Sequence, residues 1–122
     1  MASEPAPPSF AEVVHRAAEL CDPSGKHPAV WELVSRLEDR DEPVTAVADV
    51  ATELAETTPR VEPAVTDPAL DMTAAVAVYL AHRRDEMDAE REEVLRLAAR
   101  AEFEGDPPPE IAAWLDAEGI SR

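Results

Sequence analysis

Apolar residues recur along this chain at steps of three and four, the spacing that lines up one face of a helix. Phe10, Val13, Val14, Ala17, Leu20 and Cys21 make the first stripe. Ser9 opens it, and Glu12 three residues later completes a capping box, in which each side chain answers a backbone donor at the helix start. The turn cluster Asp22-Pro23-Ser24-Gly25 closes it. A second helix is expected from Pro28, a residue suited to a first helical turn, with Val30, Trp31, Val34 and Leu37 as its stripe. The charged run Glu38 to Glu42 interrupts the pattern. From Pro43 to Thr57 a third helix is expected, with Val44, Val47, Val50, Ala51 and Leu54 on one face. Its β-branched residues would also suit a strand; the spacing favours helix.

Pro59, Pro63 and Pro68 punctuate residues 57–68, where no helical period survives, so this stretch reads as an extended connection. Asp67-Pro68 then caps the longest predicted element, a helix over about 68–104. No Gly or Pro interrupts residues 69–104. Leu70, Ala74, Ala77 and Leu80 give it one apolar seam, which Leu80, Met87, Val94 and Ala101 continue at steps of seven. Its middle, His82 to Glu93, is mostly charged, so the helix either projects into solvent there or bends. Gly105 and the prolines at 107–109 stop it. A last short helix, Glu110 to Glu118, turns Ile111, Trp114 and Leu115 inward, with Gly119 ending it and Ile120 folding back on its last turn.

These elements predict an all-α fold: an irregular bundle of four or five helices, the short ones packed on the long one. Residues 1–8, with Pro5, Pro7 and Pro8, read as a flexible tail, and residues 9–122 as a single helical domain.

Composition narrows the picture. Hydrophobic residues make up 45% of the 122, yet aromatics only 4%, so Ala, Val and Leu must form a thin core between closely spaced helices. Asp and Glu total 27 against 11 Lys and Arg, a net charge of -16. Such a field repels phosphate backbones and anionic lipid, so neither nucleic acid nor membrane is expected as a partner. The three short N-terminal helices suggest helix-turn-helix only until the third is read: it carries Asp49, Glu53 and Glu56 and no base. Cys21 is the single cysteine, which suits a reducing compartment. With no signal-peptide pattern at the N-terminus and no apolar stretch of about 20 residues, a cytoplasmic protein is expected.

Candidate chemistry is sparse. Glu12 and His15 form an E-x-x-H pair on one helix, but di-iron bundles need a second copy, which the chain lacks. His82 and Glu86 lie on neighbouring helical faces and, with Glu12 and His15, are the candidate metal ligands if the first and fourth helices pack together. For that, His15 and His82 must come within about 5 Å of each other. Cys21 ends a helix beside Asp22, a setting that disfavours a thiolate, and reads as a small core residue. No nucleotide-binding or hydrolase motif occurs, so no catalytic residue and no cofactor are expected. The function expected is a non-enzymatic protein-interaction or oligomerisation module, with a protein partner or a second copy; metal binding is the alternative. Trp31, Leu80, Met87, Val94 and Trp114 are the candidate interface residues.

Overall fold

In the computed structural model, which describes residues 7–57 and 67–120, the fold is an all-α bundle built around one central helix. The six α-helices are α1 (Phe10–Cys21), α2 (Pro28–Leu37), α3 (Val50–Thr57), α4 (Pro68–His82), α5 (Arg91–Phe103) and α6 (Pro109–Ala117). Helix α4 is the hub, packing against all five others. Its sequence explains the position. Apart from Asp71 it carries no acid or lysine or arginine, and ten of its fifteen residues are buried, so it needs cover on nearly every side. The alanines at 69, 75, 77 and 81 let neighbours approach closely.

The helix expected over 68–104 is two helices. α4 ends at His82, residues 84–86 make one 3-10 turn, and α5 starts at Arg91 and folds back on α4. A continuous helix of that length would span roughly 55 Å and strand Val94, Leu95, Ala98 and Ala99 in water. Folding back buries all four, and that burial outweighs the intrahelical hydrogen bonds lost at the break. Two arginines hold the break. Arg16 of α1 donates to the carbonyls of Met87 (2.8 Å) and Ala89 (3.5 Å). Arg91 donates to the Leu20 carbonyl (2.6 Å) and to Glu118 (2.6 Å).

The helix expected over 43–57 is also divided. Residues 44–46 form a 3-10 turn, Val47 is extended, and the Asp49 carboxylate accepts from Thr52 N–H (3.1 Å) to open α3. Asp49 is thus an N-cap rather than a helix-interior residue, in keeping with its competition for backbone donors. Six α-helices thus stand among the described residues, where four or five were expected.

The flexible tail expected at 1–8 and the connection at 57–68 fall mainly outside the described residues. Their inner ends are described and fixed. The Pro8 carbonyl accepts from Val44 N–H (2.8 Å). Asp67 caps α4 through Leu70 N–H (3.3 Å) and takes His27 Nε2 at 2.9 Å, which ties the start of α4 to the start of α2. No helix among the described residues is long and apolar enough to cross a membrane.

Candidate partner-binding groove

The turn between α1 and α2 shows how tightly polar side chains are used here. Asp22 is 8% exposed, and its carboxylate accepts from His27 N–H (2.9 Å), Lys26 N–H (3.2 Å) and Trp31 Nε1–H (2.9 Å). Burial alone would raise its pKa; the three donors outweigh it and hold the carboxyl below its usual range. His27, the residue before α2, offers no side-chain cap, so Asp22 serves that end from outside. Trp31 therefore spends its polar end inside the molecule, and its ring meets His15 edge-on at 5.7 Å.

The other interface candidates separate by burial. Leu80 and Val94 are 0% exposed, so the seam expected to run Leu80, Met87, Val94, Ala101 is not a surface. The fold-back at 83–90 turns Leu80 and Val94 into the core and leaves Ala101 exposed. Met87 and Trp114 are half-buried.

The candidate metal ligands do not assemble. Glu12 and His15 line one open depression, whereas His82 lines another, beside Val44 and Val47. His15 Nδ1 pairs with Glu19 at 3.4 Å. Glu86 Oε2 is enclosed without a hydrogen-bond partner among the described residues, as are Tyr79 Oη and Arg96 Nε. Among the described residues no three His, Cys, Asp or Glu side chains are grouped to hold an ion. The break at 83–90 ends α4 at His82, so Glu86 no longer follows it on one helix. Cys21 is buried, and burial pushes its thiol up to about 12 against the opposing Thr73 hydroxyl and Arg91.

The depression beside α1, about 550 Å³, collects Glu12, His15 and Met87. Glu19, Glu38, Asp41 and Asp88 also line it, and its arginine, Arg16, is committed to backbone carbonyls. It is wide and acidic, with Val34 and Met87 as its larger apolar side chains.

A different surface lies along α4, and sequence reasoning missed it. The α4 residues left incompletely buried are Pro68, Asp71, Ala74, Val78 and His82. Steps of three and four place them on one stripe. From Asp71 to His82 that stripe floors two adjoining hollows that share Ala51 and Val78. One, about 320 Å³, is walled by Leu54 and Ala55 of α3 and by Phe103, Pro108 and Ile111 from the α5–α6 corner. The other, about 300 Å³, continues past Ala81 to His82 and Arg84. Asp71, Glu102 and Glu110 stand around the first hollow, with no Lys, Arg or His among the described residues that line it. The half-exposed stripe was hidden in the sequence because Ala74 fits an inward seam as well as an outward one.

Compared with known proteins, the chain matches no family model, no curated protein and no solved structure.

Proposed function

We propose that this chain is a non-enzymatic protein-interaction module that docks a partner along the stripe of α4 that the other described residues leave incompletely buried. The observation that carries the reading is the pair of adjoining hollows over Ala74 and Val78, an apolar floor between α3 and the α5–α6 corner. A concave, mostly aliphatic surface with polar groups at its margin suits a protein segment. The interaction branch is preferred to self-association because the seam that motivated oligomerisation is largely buried. The single buried thiol, held protonated, suits the reducing cytoplasm we assign to it.

A photo-crosslinking amino acid at Ala74, expressed in the cells that make the protein, tests the reading. We expect a discrete adduct with another protein, lost when Ala55 across the groove is replaced by Glu, and no such adduct from the exposed control position Ala117. Equal labelling from both positions, or an adduct of twice the chain's mass, would overturn it.

A further inference from the structure

We infer that the occupant of the α4 groove is an amphipathic helix of about three turns whose apolar face ends in a cluster of Lys or Arg; the inference rests on the docking role proposed above. The length follows from the floor. Asp71 to His82, the α4 residues that line the two hollows, cover eleven residue steps, roughly 16 Å, and a helix laid along them needs about the same number of residues. The secondary structure follows from the side chains. Ala51, Ala55 and Ala74 are small, so the axis of an incoming helix can approach as closely as those already packed on α4.

The charge follows from the rim. Glu102 and Glu110 are exposed, and neither forms an ion pair with another described residue. They stand at one end of the groove, while His82 and Arg84, with the α3 cap Asp49, stand at the other. A basic terminus on the partner complements the first end and leaves the second unopposed. A second copy of this chain is the less favoured occupant, because an isologous contact would bring together two chains that each carry a net charge of -16.

Three labelled sixteen-residue peptides with one shared Leu/Ala face test this, their ends bearing Lys, Gln or Glu. Binding to the full chain is read by fluorescence anisotropy, and the site by amide shift mapping. We expect shifts at Ala51, Ala74 and Val78, and affinity at least about tenfold higher for the Lys peptide than for the Glu peptide at about 50 mM salt. The gap should close at about 500 mM. The double variant Glu102→Gln/Glu110→Gln, both positions exposed, should shrink the Lys preference at least about threefold and leave the Gln peptide unaffected. Equal affinity for all three peptides sinks the basic-terminus inference and leaves the docking role standing. Shifts confined to the acidic depression near Glu12, or no binding by any peptide, sink both. Dimers of the free chain in sedimentation, dissolved by a groove substitution such as Ala74→Glu, assign the groove to a second copy and overturn the inference.

Discussion

At the scale of single residues, two buried polar groups make opposite predictions. Asp22 satisfies two backbone N–H groups and the Trp31 indole from one carboxylate. Asp22→Ala strands all three donors at a largely buried site. The expected loss is about 1.5–3 kcal/mol, the range for hydrogen bonds to a charged group, measured as a shift in the urea midpoint. The pH dependence has a definite sign. The folded pKa lies below that of the unfolded chain, so the contribution is complete above the unfolded value of about 3.9. It fades as pH falls through the folded pKa. The stability gap between wild type and Asp22→Asn should therefore be constant from about pH 5 to 8 and narrow below about pH 4. A gap that widens on acidification would contradict the arrangement. Tyr79 is the reverse case. Its hydroxyl makes no well-formed hydrogen bond among the described residues, although Arg83 and Glu86 stand near it, and burial, with the Glu86 charge adding to it, pushes the phenol above its ordinary pKa. Removing a buried hydroxyl that makes no well-formed hydrogen bond costs little. Tyr79→Phe is expected to be neutral or to stabilise by about 0.5–1 kcal/mol, and a loss above about 1 kcal/mol in the same assay would reveal a hydrogen bond there.

Among elements, what could be read from sequence was what local chemistry decides. Ser9 does cap α1 through Glu12 N–H (3.1 Å). Pro28 and Asp67-Pro68 do open α2 and α4. Gly119 at φ 77° ends α6, and the Ile120 N–H reaches the Leu115 carbonyl at 2.9 Å while its side chain is buried, the expected fold-back. What escaped, or stayed open between projection and a bend as in the charged run His82 to Glu93, was decided by partners distant in sequence. Residues 83–90 hold no Gly or Pro, and the break is set by what α5 buries and by Arg16 and Arg91 reaching across from other elements. The α4 groove escaped for the same reason: whether Ala74 faces core or water depends on where α3 and α6 end. The break is directly measurable. In a continuous helix Ala74 and Glu102 would be about 42 Å apart. Here both line one hollow, so spin labels on Ala74→Cys and Glu102→Cys in a Cys21→Ala background should report a separation near that of adjacent helices, about 10 Å plus the label arms. A distribution centred above about 35 Å would restore the single long helix.

The whole molecule is shaped by its charge. A net -16 on 122 residues stores repulsion that folding increases, because compaction brings carboxylates closer together. The attractive terms that salt would weaken are small. The ion pairs among the described residues are partly to well exposed: Arg36–Glu32 has side chains 45% and 54% exposed, and even Arg91–Glu118 has 28% and 34%. Such pairs contribute about 0–1 kcal/mol each, and they occupy only a few of the 27 acids. Raising salt from about 0.01 M to about 0.1 M shortens the screening length from about 30 Å to about 10 Å. That removes long-range repulsion across the bundle before it weakens contacts at 3 Å. Added NaCl is therefore expected to stabilise this protein, by about 1 kcal/mol or roughly 4 °C in melting temperature, followed by calorimetry at fixed pH. Sulfate salts are the wrong probe, since they strengthen apolar burial by exclusion from any protein surface. A melting temperature that falls with NaCl would mean that ion pairs such as Arg91–Glu118, rather than the aliphatic contacts around α4, carry the fold.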